Sequence, residues 1–204
     1  MLPLPLPHNF TPKGIDTPSF PGGVTAHHSF NGVPEWALGV TNWFEAGLYL
    51  PLYTHDTSLG FGIDGMKLRT LFAVPHAEDR RFVYGANFEF SINAKRWDPK
   101  RITSEIRPIV GWHLSPKYDL IFNPIVDTSY DGVKNLVFVP SVRFAVNPVE
   151  RWSVAVEAYS DFGRVSDFAP RSEQAHQIFG VVDHTTKNGF EMEFGEGVGI
   201  TDGS

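Results

Sequence analysis

Few side chains in this chain sit where they could do covalent chemistry. There are eight histidines, but His27 and His28 are adjacent, so in a strand they point to opposite faces and cannot chelate together. His113 and His176 lack companions at metal-ligand spacing, so no metal site and no cofactor is expected. Ser160 and Asp161 at a strand end, with His176 on the following segment, could be forced into a hydrolase triad, but no nucleophile motif surrounds them. No phosphate-cradling glycine loop occurs. The expectation is a protein that is not an enzyme.

A second set of polar residues has a different chemistry. Glu35, Glu45, Lys67, Arg69, Asn87, Glu89, Glu105, Arg107, Asn123, Asp127, Arg143 and Glu157 recur at intervals set by an alternating pattern, all on one side of it. Charges so placed can pair across neighbouring strands, which is what makes them tolerable in a confined interior. With turn centres near residues 78, 98, 117, 135 and 150, Lys67 pairs with Glu89, Glu89 with Arg107, Arg107 with Asp127, Asp127 with Arg143, and Arg143 with Glu157. The signs alternate, which predicts a charge belt at mid-height.

The elements that must carry these residues are strands. From Phe82 to Asn93, one face holds Phe82, Tyr84, Ala86, Phe88, Phe90 and Ile92, and the other Val83, Gly85, Asn87, Glu89, Ser91 and Asn93. Period-two alternation puts these sets on opposite sides of a strand. The same pattern restarts over 2–13, 25–40, 44–54, 62–74, 82–94, 104–114, 119–128, 136–146, 151–161, 174–184 and 189–198. The segment 174–184 can be read with either face outward. Short turns (41–43, 76–81, 115–118, 147–150, 185–188) alternate with longer polar loops (15–23, 55–60, 95–103, 129–135, 162–173). That asymmetry describes an up-and-down meander.

Composition narrows the class. A formal net charge of −6 and the lack of a basic run argue against nucleic acid. No cysteine is present to staple the fold, while 17 phenylalanines, 19 glycines and 16 prolines suit short strands and turns. No apolar run is long enough for a transmembrane helix, and Met1 to His8 does not read as a secretory leader.

Two orientations remain. In a soluble β-barrel the oily face, with Phe88, Phe90 and Phe138, would surround an apolar ligand. In a membrane barrel that face meets lipid, and the polar face lines a lumen. Sparse charges among small residues favour the lumen, as do the aromatics beside the short turns: Trp43, Phe44, Phe82, Tyr84, Trp112, Tyr118, Trp152 and Phe190. Pro34, Pro51, Pro108, Pro124 and Pro140 fall inside the expected strands, where each removes a ladder hydrogen bond. A lipid-acting barrel enzyme would need Ser, His and an acid converging at one rim.

Gly39-Val-Thr-Asn-Trp-Phe-Glu-Ala-Gly-Leu-Tyr-Leu-Pro-Leu52, Phe122-Asn-Pro-Ile-Val-Asp-Thr128 and Glu157-Ala-Tyr-Ser-Asp-Phe-Gly163 resemble the turn-and-strand pattern of Gram-negative outer-membrane barrels. Among these, the chain resembles the transporter group that includes the phenol-degradation meta-pathway type. The resemblance implies an outer-membrane location, lipid as a partner and a small organic solute, and it carries over no catalytic residues. The expected fold is all-β: an antiparallel up-and-down transmembrane β-barrel formed by residues 1–204 as a single domain. Since bacterial barrels have even strand numbers, the eleven readable strands imply a twelfth beyond Ser204, making the domain incomplete at both ends.

Overall fold

The computed structural model describes residues 29–32, 35–56, 60–95, 98–188 and 191–201. The expected strand 2–13, His27, His28 and Pro34 lie outside the described residues. The chain is all-β, with no α-helix among the described residues. Its strands are β1 (Ser29–Gly32), β2 (Glu35–Gly39), β3 (Phe44–Asp56), β4 (Gly60–Ala73), β5 (Phe82–Asn93), β6 (Ile102–Ser115), β7 (Tyr118–Asn123), β8 (Val126–Thr128), β9 (Val137–Phe138), β10 (Ser141–Val149), β11 (Trp152–Asp161), β12 (Gly163–Arg164), β13 (Asp167–Phe168), β14 (Ala175–Thr185) and β15 (Glu191–Gly199).

These strands form one antiparallel sheet whose main path runs β1-β3-β4-β5-β6-β7-β10-β11-β14-β15. β2 lies beside β1 on the same flank of β3. β8 continues β7 along β6, and β9 pairs with β8. The small hairpin β12–β13 rises from the loop after β11, where the sequence predicts only a loop. Among the described residues no pairing joins β15 to β1 or β2, so the sheet is open there.

Alternation decides the two faces. Along β5 the side chains of Val83, Asn87, Glu89 and Ser91 are buried, while Phe82, Tyr84, Phe88 and Phe90 are exposed. The other long strands repeat this: Arg69 and Leu71 on β4, Arg107 and Ile109 on β6, Arg143 and Ala145 on β10, Ala155 and Glu157 on β11, and Val181 and Asp183 on β14 are all buried. β14, ambiguous in the sequence, thus turns Val181 and Asp183 inward and Ile178 and Val182 outward. No second layer covers the polar face among the described residues. A single sheet can bury one face only by curling over it, and here the concave side is the polar one.

Small apolar clusters fill that concave side near the short turns. Leu71, Ile109 and Ile121 form one, Val74, Ala77 and Val83 a second, and Ala145, Ala155 and Val181 a third.

The in-strand prolines acquire a pattern. Val110 pairs with Phe122 and Ile106 with Val126, which sets Pro108 opposite Pro124. Ser141 pairs with Asn123 and Val126 with Phe138, which sets Pro124 opposite Pro140. The three residues that cannot donate to a ladder therefore share one height on adjacent strands, where β7 breaks into β8 and β9 into β10. The Asn123 side-chain amide donates to the Pro108 carbonyl at 3.1 Å, satisfying an acceptor the broken ladder leaves over.

Candidate functional site

The concave face carries two charged groups and a cavity. The first group spans β3 to β8. Arg69, opposite Gly47 and Glu89 in register, forms an ion pair with Glu45, and its guanidinium lies 5.9 Å from the Tyr49 ring centroid. Lys67 Nζ reaches Glu89 Oε2 at 3.5 Å, and Asn87 Nδ2 donates to Glu89 Oε1 at 3.2 Å. Arg107 Nε donates to Glu105 Oε1 at 2.6 Å. Arg107 and Asn87 stand in register and are both 0 % exposed, so this part of the interior is filled at that height.

The second group spans β10 to β14. Arg143 is ion-paired with both Glu157, directly across from it, and Asp183, two strands away. The Tyr159 hydroxyl donates to Glu157 Oε2 at 2.8 Å. A contact that skips the intervening β11 requires strong local curvature.

The charge belt expected from turn arithmetic is partly corrected. Arg143–Glu157 stands as expected, since the turn at 147–150 is tight. Lys67 and Glu89 are ion-paired, but diagonally, with Lys67 opposite Ser91. Glu89 opposes Glu105 rather than Arg107, and Glu105 rather than Arg107 opposes Asp127. Asp127 opposes Val137, well short of Arg143, because the loop centre falls earlier than the sequence suggests. The result is a row of three carboxylates, Glu89, Glu105 and Asp127, with Lys67 and Arg107 beside it. Every register error is an even number of residues, so the residues keep the face expected of them. Asn123 is buried in the same interior. Glu35 opposes Tyr49 through its backbone in β2, and its side chain lies outside the described ones.

The cavity, of about 560 Å³, opens at the short-turn end. Val83, Ile121 and Ala145 give it an apolar wall, and His113, Asp119, Arg143, Asn147, Ser153 and Asp183 line it with polar groups. His113 Nδ1 lies 2.6 Å from Asp119 Oδ1, and Asn147 Nδ2 donates to Asp119 Oδ2 at 2.7 Å. Sequence reasoning missed the role of Asp119, Asn147 and Asp183. Only their position on the inward side of the alternation could have pointed to them.

The forced triad does not converge. Ser160 stands opposite His176, but the His176 ring meets Gln174 Oε1 at 3.1 Å and Asp161 accepts the Gly163 amide at 2.7 Å. Among the described residues no group of three or more acidic or imidazole side chains could hold a metal ion. No family model matches the chain, and no curated protein or solved structure matches it either.

Proposed function

We propose that the chain forms an outer-membrane β-barrel whose oily face meets lipid and whose polar face lines a narrow, charge-paired lumen for small organic solutes. One observation carries this reading: burial runs opposite to that of a water-soluble protein. Arg107, Asn87, Glu89 and Arg143 are buried, while Leu68, Phe72, Phe88, Phe144, Val154 and Val156 are exposed along the same strands. An apolar surface of that extent in water is costly, at about 25 cal/mol per Å². In a bilayer it is the expected exterior.

Three further features support it. β3, β4, β5 and β6 run 12 to 14 residues, enough for a tilted crossing, which takes about 9–11. Trp43, Phe82, Trp112, Tyr118 and Trp152 stand exposed at the short-turn end, where an aromatic girdle belongs. Unpaired strand edges are unfavourable in hydrocarbon, so in this reading the flank of β1 and β2 meets β15, directly or through a further strand. The soluble alternative needs Phe88 and Phe90 around an internal ligand, whereas they lie on the exposed face. The reading assigns no catalytic step.

The lumen is narrow where Arg107 and Asn87 fill it, and wider at the cavity toward the short turns. Solutes smaller than that cavity are the class it suits. The test is membrane fractionation with detergent extraction, followed by swelling of liposomes holding the refolded chain. Extraction only by detergent and a size-limited swelling response are expected. Recovery of folded protein in the aqueous fraction without detergent would sink the proposal.

A further inference from the structure

Three of the short turns share a local design. Arg81, Lys117 and Arg151 each immediately precede the aromatic that opens the next strand: Phe82 of β5, Tyr118 of β7 and Trp152 of β11. Each basic residue's carbonyl accepts an amide from the adjoining strand, namely His113 N at 2.9 Å, Asn147 N at 2.8 Å and Thr185 N at 3.0 Å. That repeated bond ties the three turns into the sheet at the same step of the ladder. The aromatics are 43–45 % exposed and all three basic side chains are exposed, with Lys117, Arg151 and Trp152 standing where the cavity opens. Arg80 and Lys187 add exposed positive charge at the same end. Among the described side chains of these turns the acidic ones are Asp79 and Glu150, and Glu150 meets Arg151 at 3.1 Å with its side chain 83 % exposed. A pair so open to solvent is weak and leaves Arg151 able to exchange partners.

We propose that this rim binds the phosphate groups of anionic phospholipids, through Arg81, Lys117 and Arg151 set beside Phe82, Tyr118 and Trp152. The inference rests on the membrane-spanning reading above. Aromatic rings settle at headgroup depth, which places an arginine or lysine one residue toward the water at the level of the phosphates. A basic side chain there favours anionic over zwitterionic lipid.

Quenching of the native tryptophans by brominated lipids tests both layers separately. Reconstituted protein in phosphatidylcholine bilayers is titrated with brominated phosphatidylcholine or brominated phosphatidylglycerol. Quenching by the first reports that tryptophans touch lipid at all, and its absence overturns the membrane reading and this inference with it. The inference expects brominated phosphatidylglycerol to be favoured by roughly fivefold, with the preference shrinking in high salt. In R81Q/K117Q/R151Q the preference disappears while quenching by phosphatidylcholine persists. R81K/K117R/R151K retains it, as does K100Q/R101Q/K134Q at the opposite end. Equal quenching by the two lipids in the wild type, or a preference that survives R81Q/K117Q/R151Q, overturns it.

Discussion

Asp127 stands directly across from Glu105, carboxylate facing carboxylate on the enclosed side of the sheet. Glu105 has Arg107 Nε at 2.6 Å, whereas Asp127 Oδ1 has no hydrogen-bond partner. Like charges directly opposite each other destabilise a strand pair by about 0.2–1 kcal/mol. Asp127→Asn is therefore expected to raise the unfolding midpoint of the detergent-solubilised protein. Glu105→Gln is expected to lower it, with a loss of about 3 kcal/mol of unfolding free energy, because Arg107 would keep its charge in a buried position without its nearest partner. Urea titration in micelles measures both, and stabilisation by Glu105→Gln would contradict this division of roles.

Arg143 supports two carboxylates at once, and removing it should be costlier than removing either of them. Arg143→Met leaves Glu157 and Asp183 buried with the guanidinium gone. The expected loss is about 3–5 kcal/mol, in the range for breaking a buried ion pair from one side. Neutralising all three groups in R143M/E157Q/D183N removes the imbalance and should recover most of the loss. A triple variant no better than R143M would mean that packing, not charge, holds this corner.

The strands were legible because their period of two is local, and the register was not because it depends on turn centres. β4, β5, β6, β11 and β14 lie within two residues of the boundaries read from alternation. Arg143–Glu157 was placed correctly because 147–150 leaves little freedom, while the loop 129–135 moved Asp127 away from Arg143. The prolines looked like isolated faults in the sequence. Only the register brings Pro108, Pro124 and Pro140 side by side, so these three interrupt the ladder at one height, while Pro51 interrupts the pairing of β3 with β4 separately. His113, Asp119 and Asn147 meet across β6, β7 and β10, a contact no short-range pattern encodes.

Two glycines should respond differently to a methyl group. Gly65 has φ +147°, and a Cβ there would lie 2.1 Å from the Ile92 carbonyl oxygen, a backbone atom that cannot swing aside. Gly65→Ala should cost more than about 1 kcal/mol, combining backbone strain with steric conflict. At Gly111 the nearest atoms to a Cβ, on Val83 and Ile121, are 3.6 Å and 3.7 Å away, ordinary contact distances. Gly111→Ala should change stability by less than about 1 kcal/mol. Thermal unfolding of the two variants in the same detergent compares them, and equal losses would argue against the backbone approach of β4 and β5 at Gly65.

The loop end offers a pH test away from the enclosed charges. Asp131 accepts from Lys100 Nζ at 2.7 Å and from Ser129 Oγ at 2.8 Å, and these bonds, Lys100 first, hold its carboxyl below the ordinary 3.8. A carboxylate whose folded-state value is depressed contributes stability above its unfolded value, and that contribution is lost as pH falls through the folded one. The link between the loops at 98–101 and 129–135 should therefore hold at neutral pH and loosen below about pH 3.8. Asp131 is exposed, so the effect is local and weakened by salt. Amide exchange at Asn135, whose N–H donates to the Gly132 carbonyl at 2.9 Å, should accelerate beyond its intrinsic pH dependence in that window. In Asp131→Asn it should already be faster at neutral pH and show no further step. An identical acid step in the variant would assign the transition to another carboxylate.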